Sequence, residues 1–313
     1  MSLFKIGHYT DLKGGTGCTV IICPDGTKGS GYARGISPGT REYALLSPFR
    51  KMEEIHALLL TGGSAFGLDA AAGVMRYLAE RSKGYKTPYG IIPIVPAAVI
   101  FDLPVKDTNA YPLAENAYNA CRNAKADQKE QGTIGAGTGA TVGKWAGIAH
   151  MMKSGIGIAK EKFGDVWAES LAVVNSVGDI VDEKGKIIAG AVQNGKFIAE
   201  TTSHPHSWQV PKVDFGENTV LVAVMTNANL SKVSLYYLAE RAHNGIVQAV
   251  KPAHTSFDGD MVFSMSIGAK TVDIDTITQM SIEATRRSII NAVIHASSLD
   301  NIPTIDMLPR KHP

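Results

Sequence analysis

Apolar residues along the chain fall into two patterns, short unbroken runs and stripes that return every three or four positions, and each predicts a different element. The runs, rich in β-branched and aliphatic residues, predict strands over 18–23, 56–60, 91–95, 155–159, 171–175, 186–192, 219–226 and 261–267. Several are apolar nearly throughout, so both of their faces need cover. The stripes predict helices. Ser64 is placed to cap one whose apolar face runs Leu68, Ala72, Met75 and Leu78, with Gly84 as its stop. A second starts after Asn229 and carries Val233, Tyr237, Ala242, Ile246 and Ala249 until Lys251-Pro252 ends it. A third follows Asp275 with Ile277, Met280, Ala284, Ile289, Val293 and Ile294 in a broad stripe. Buried strands beside long amphipathic helices predict a layered fold of mixed α and β.

One stretch fits neither pattern. Residues 194–217, including His204-Pro205-His206, have little periodicity and read as an exposed loop, unusually long for a compact domain unless it is functional or a processing region. It ends at Asn218-Thr219, where a strand-like run opens. As a dipeptide this is an ordinary loop-to-strand junction. If the bond were cut, however, Thr219 would carry a nucleophilic hydroxyl and, in its own α-amine with a reference pKa near ~8, a base.

Composition narrows the partners. The chain has 313 residues and a net charge of +2 with both signs spread along it, so nothing argues electrostatically for nucleic acid or an anionic membrane. Small molecules or copies of itself are the expected partners. The opening residues lack a basic-then-apolar leader pattern, and Pro93 and Pro96 interrupt the longest apolar run, which together predict a cytoplasmic protein. The three cysteines, Cys18, Cys23 and Cys121, suit a reducing compartment; Cys18 and Cys23 read as packing residues.

Several motifs invite chemistry. The glycine run 132–143 before Lys144 lacks the spacing of a phosphate loop, since Thr138 stands where glycine is needed and Trp145 follows the lysine; it fails the dinucleotide pattern as well. Its backbone can approach a neighbour or ligand closely, with one lysine at its end. Ser64 lies between a predicted strand and a helix, but Phe66 replaces a glycine that a nucleophile elbow requires. The nine histidines show no zinc-peptidase spacing, and neither a metal nor a cofactor is expected. Asp258-Gly259-Asp260 reads as a tight turn, or as a carboxylate pair able to hold a hydroxyl and an ammonium. Asn175 ends an apolar strand and reads as a turn residue, or as an amide donor to a developing oxyanion.

As a set, these segments resemble one family. Residues 60–70, 94–103, 132–140, 174–178, 217–219 and 254–260 are similar to the D-aminopeptidase/esterases, β-aminopeptidases and nylon-oligomer hydrolases of peptidase family S58. The resemblance implies a single domain over 1–313 with a four-layer αββα sandwich of the N-terminal-nucleophile-hydrolase kind. It also implies self-cleavage between Asn218 and Thr219 into an α chain, 1–218, and a β chain, 219–313. On that basis Thr219 is nucleophile and base, Asn175 and Lys144 support amine and oxyanion, and Asp258 and Asp260 orient them. Phe101 and Gly137 fall on the substrate side; Phe101 lacks the hydroxyl that the nylon-hydrolase branch carries there. Thr219 with two aspartates resembles that branch more than the serine-and-glutamate β-aminopeptidases. The implied activity is hydrolysis of 6-aminohexanoate oligomers or short amides by a homotetramer. Aminopeptidase action, acyl transfer like that of ornithine acetyltransferases, and a catalytically silent scaffold are the alternatives. Lys144 and Asn175 are further expected to serve the site while contributing little to the fold.

Overall fold

The computed structural model describes residues 3–201 and 218–309, so most of the predicted loop at 194–217 lies outside the described residues. Its first part is a short hairpin of Val192–Gln193 with Lys196–Phe197, then the turn Ile198–Glu200. Two five-stranded sheets organise the rest. Their strands are β1 (Lys5–Asp11), β2 (Thr16–Ile22), β3 (Lys28–Ala33), β4 (Thr40–Arg41), β5 (Ala57–Thr61), β6 (Ala97–Val99), β7 (Ile156–Phe163), β8 (Val166–Asn175), β9 (Thr219–Ala228) and β10 (Met261–Lys270). The first sheet has the order β1-β2-β5-β6-β4 and the second β7-β8-β9-β10-β3. Four α-helices cover them: α1 (Ala71–Ala79), α2 (Ala114–Arg122), α3 (Lys232–Ala249) and α4 (Ile274–Ile294).

Three apolar cores follow from this arrangement. Val20 and Leu59 of the first sheet, with Val95 just before β6, pack with Val74, Leu78 and Ala117 of α1 and α2. Ile21, Leu58 and Leu60 on the opposite face meet Leu171, Leu221 and Phe263 of the second sheet. The other side of the second sheet, through Val222, Val224 and Val262, packs on Leu238, Ile246 and Ile289 of α3 and α4. Strands buried on both faces are therefore largely apolar: residues 57–60 of β5, 220–225 of β9 and 20–22 of β2, whose Thr16 and Thr19 are buried with hydrogen bonds.

Some predicted elements change. Over 91–95 the strand fails: Gly90–Ile92 pairs only with Tyr85–Thr87, and pairing with β5 resumes at Ala97, after Pro93 and Pro96 have removed two donors. The run 186–192 breaks at Gly190, where a Cβ would come within 2.2 Å of Asp179 Oδ1. Ser64 does not cap a helix. It has φ +52°, follows Gly63 at φ +82°, and opens the 3-10 turn Ser64–Ala70 that precedes α1. The predicted stripe of α3 holds in its second half, where Ala242, Ile246 and Ala249 are buried, but not in its first, where Leu235, Leu238 and Ala239 are buried while Val233 and Tyr237 are 64% and 38% exposed. It is wedged between the second sheet and α4, so small residues set its inner face; a Cβ on Gly245 would lie 2.4 Å from Ile282 O. α4 begins two residues earlier than predicted, because Asp273 rather than Asp275 caps it, accepting from the N–H groups of Asp275 and Thr276. Ile294 lies 51% exposed. Among the described residues no helix is long and apolar enough to cross a membrane.

Candidate active site

Thr219 opens β9, directly opposite Asn175 at the end of β8 in the antiparallel register, and only 4% of it is exposed. Its hydroxyl donates to the carbonyl oxygen of the residue before it, Asn218, at 2.6 Å. That same oxygen accepts the Gly259 N–H at 2.7 Å, while the Asn218 N–H donates to Phe257 O at 2.8 Å. The 218–219 peptide is thus held against the 257–259 turn, with a backbone donor on the oxygen where negative charge would develop.

The two aspartates are built into the same turn. Asp258 Oδ2 accepts from the backbone N–H and hydroxyl of Thr255 at 2.6 and 2.7 Å. Asp260 Oδ1 accepts the Val220 N–H at 2.8 Å, and its Oδ2 lies 2.7 Å from His254 Nδ1. The chain leaving β3 closes over them, with Arg34 and Gly35 donating to Asp260 O and Ser37 donating to Asp258 O. Gly35 has to be glycine, since a Cβ would meet the Asp260 nitrogen at 2.2 Å.

Behind Asn175 lies Lys144, delivered by Gly143 at φ +75°. Its ammonium donates to Asn175 Oδ1 at 2.7 Å and to Asn175 O at 3.3 Å. Thr141 N–H also donates to Oδ1, and Asn175 Nδ2 donates to Phe101 O at 3.0 Å. Both residues are buried and hydrogen-bonded, so the expectation that they contribute little to the fold does not hold. Apolar surroundings make these bonds structural as well as chemical.

A cavity of about 270 Å³ opens beside Thr219, with Ser37, Gly39, Ser64, Val99 and Phe101 in its wall and no charged side chain among the described residues that line it. Gly137 is not part of that wall. It is buried in the 135–137 turn, where a Cβ would lie 2.4 Å from the Ile156 nitrogen, so its lack of a side chain serves backbone packing.

Three buried groups escaped sequence reasoning. Asp102 accepts from Thr16 Oγ1 at 2.8 Å and from Gly63 N–H at 2.7 Å, fixing the turn that presents Ser64. Lys153, fully buried, donates to the carbonyls of Gly137, Ala140 and Ser154, and so ties down the glycine run that leads to Lys144. His254 is the third. Only a charged residue inside an apolar run, Asp102 after Ile100-Phe101 and Lys153 after Met151-Met152, could have signalled the first two.

Burial dominates the electrostatics. It pushes Lys144 down to about 7, opposed by Asp258 and Asp102, and Lys153 down to about 7, opposed by Asp102. The three carbonyls around Lys153 favour its ammonium, so we take its charged form to persist near neutrality. Burial, then the Asp260 charge, pushes Asp258 up to about 6. Burial pushes Asp102 up to about 6 against the donors from Gly63 and Thr16. Carboxyls and amines that would normally differ by several pH units are brought together around neutrality, a pattern frequent at catalytic sites.

Comparison with known proteins places the chain among relatives. An uncharacterized aminopeptidase of Mycobacterium leprae is 37% identical over 340 residues, covering 97% of this chain and 91% of its own. A 6-aminohexanoate-oligomer endohydrolase of Agromyces sp. (strain KY5R) is 34% identical over 270 residues, covering 83% and 71%. The solved L-aminopeptidase D-Ala-esterase/amidase of Ochrobactrum anthropi, described as a variant of the Ntn hydrolase fold, superposes with a TM-score of 0.72 at 17% identity over 96% of this chain and 86% of its own. That last likeness places the mixed α/β fold. Residues 4–304 match peptidase family S58, and with the relatives' identity and coverage this makes the chain a member of that family, a hydrolase acting on amide bonds.

Proposed function

We propose that this chain cuts itself between Asn218 and Thr219 and then hydrolyses amides with the freed Thr219. The supporting observation is the Asn218 carbonyl, held at 2.6 Å by the Thr219 hydroxyl and at 2.7 Å by the Gly259 N–H. Thr219 Oγ1 attacks the Asn218 carbonyl carbon while Gly259 N–H stabilises the oxyanion. The C–N bond then breaks, the Thr219 nitrogen takes the proton, and the resulting ester is opened by water to give a 1–218 chain and a 219–313 chain. On this reading the three cores are the interfaces of a four-layer αββα sandwich within a single domain.

The new α-amine then acts as base for its own hydroxyl. Asp258 and Asp260 hold it in place, and Lys144 with Asn175 supports the charge that develops on the substrate carbonyl. The substrate reading follows from the cavity. Among the described residues its lining is uncharged, with no carboxylate placed to receive a free amino terminus, which favours internal amides of uncharged linear chains, with 6-aminohexanoate oligomers as the model compound. Aminopeptidase action is the second reading, favoured by the aminopeptidase relative that matches 97% of this chain. Incubation with linear 6-aminohexanoate oligomers and with amino-acid p-nitroanilides, followed by mass, separates the two. Shortened oligomers support endo cleavage; fast anilide release with intact oligomers moves the assignment to an aminopeptidase. We also infer a cytoplasmic homotetramer, supported by the exposed Val233 and Tyr237 of α3 and Ile294 of α4, and tested by sedimentation.

A further inference from the structure

His254 is held at φ +55°, a left-handed conformation that is costly for a residue with a side chain, and it is nearly buried. What the strain secures is one contact, Nδ1 to Asp260 Oδ2 at 2.7 Å. The other ring nitrogen, Nε2, is buried with no hydrogen-bond partner among the described residues. It faces the ring of His243 from α3 at 5.0 Å between centroids, and His243 in turn lies 2.9 Å from Tyr32 O through Nε2 and leaves its own Nδ1 without a partner. Two imidazoles therefore meet edge to face, 61° between their planes, behind the carboxylate that binds the Val220 N–H, and only one of their four nitrogens addresses it.

We propose that His254 is a positioning residue for the hydrolytic site: its Nδ1–H donates to Asp260 Oδ2 and holds that carboxyl group oriented toward the Thr219 end of β9. This rests on the reading that Thr219 is the nucleophile. An N–H donor favours the charged form of a carboxylate. The groups facing the pair are Asp258 on the same turn, Arg34 from the segment after β3, His243 and Tyr32, Lys144 acting through Asp258, and the Thr219 amine once it is free. Burial pushes His243 down to about 4, so it stays neutral over the range that matters. The Asp260 charge beside Asp258 helps push Asp258 up, so His254, by holding Asp260, acts on the acid limb that Asp258 sets.

His254→Gly removes the imidazole and suits the backbone; His254→Asn also tolerates this backbone and restores an N–H donor. The readouts are kcat and KM between pH 5 and 8 on 6-aminohexanoate oligomers and p-nitroanilides. Loss of one charge-assisted bond moves the acid limb of His254→Gly up by about one pH unit, so kcat at pH 5 falls about tenfold. At pH 8, where the Val220 N–H still orients Asp260, the loss is no more than about threefold, and KM stays put. His254→Asn returns the limb toward its native position. A uniform loss at every pH, or a native acid limb in His254→Gly, overturns the role. If the native chain neither cuts before Thr219 nor hydrolyses either probe, the Thr219 reading fails and the role fails with it. A readout free of activity is the imidazole NMR spectrum of the uncut Thr219→Ala chain: a downfield Nδ1 proton of His254 that disappears in Asp260→Ala is expected, and its absence from the parent overturns the proposal.

Discussion

Replacing Lys144 by methionine should make the protein more stable at pH 6 and less so, relative to its parent, as the pH rises. The ammonium is buried, and its fall from 10.5 to about 7 corresponds to on the order of 5 kcal/mol favouring the neutral form. The sign follows from linkage. Between about pH 7 and 10.5 the unfolded chain binds this proton and the folded chain does not, so folding stability rises with pH through that window, and the penalty is fully present below it. Methionine carries no such penalty. It does lose two hydrogen bonds to Asn175, about 1.5 kcal/mol each for a charged donor, leaving a net gain of roughly 2 kcal/mol at pH 6. The comparison is made in the Thr219→Ala background, so that both proteins unfold as one chain. At roughly 2 °C per kcal/mol for a chain of this size, Tm should be about 4 °C higher for the variant at pH 6, with the gap shrinking steadily toward pH 9. A flat gap, or a variant less stable at pH 6, refutes the reasoning. Lys144→Met should meanwhile lose turnover in the cleavable chain.

Other outcomes follow from the same geometry. Gly259→Ala brings a Cβ within 2.5 Å of Ser37 O and 2.9 Å of Thr219 Oγ1, so self-cleavage should slow at least tenfold and, because Ser37 O is backbone, Tm should fall as well; gel time courses of freshly made protein and thermal melts check the two separately. Asn175→Ala strands the Lys144 ammonium and the Thr141 N–H, so it should cost about 3 kcal/mol in the barrier and lower Tm as well, which kinetics and thermal melts read separately. Because burial pushes Asp258 up to about 6, turnover should fall as the pH drops through that value and Asp258 takes up a proton; a profile level down to pH 4 contradicts the ionised role.

What could be read from sequence depended on whether the cause was local. β5 and β9 announce themselves because burial on both faces leaves a nearly unbroken apolar run, and β2 does so through residues 20–22. β1, with Lys5, His8 and Asp11 among its seven residues, and α2, rich in polar residues, have no such signature. The junction at Thr219, Asn175 opposite it and the Asp258–Asp260 turn stand out because polar residues there end apolar strands. Contacts that depend on crossing loops stayed hidden: Asp102 joins Thr16 to Gly63 across three separate segments, and Lys153 is meaningful only once three carbonyls converge on it. Ser64 misled because its spacing imitates a helix cap, while its positive φ is imposed by the turn around Asp102. The first half of the α3 stripe misled for another reason: large side chains mark a face turned to one neighbour, and this helix has two.

The central claim is that the 218–219 peptide is the protein's own first substrate. Intact-mass analysis and N-terminal sequencing of the purified protein, fresh and after prolonged incubation, address it directly, with Thr219→Ala treated alongside. The account predicts two chains from the native protein, one beginning Thr-Val-Leu-Val at residue 219, and a single uncut chain from the variant. A native protein that remains full length throughout, or one cut at any other bond with Thr219 still internal, contradicts it.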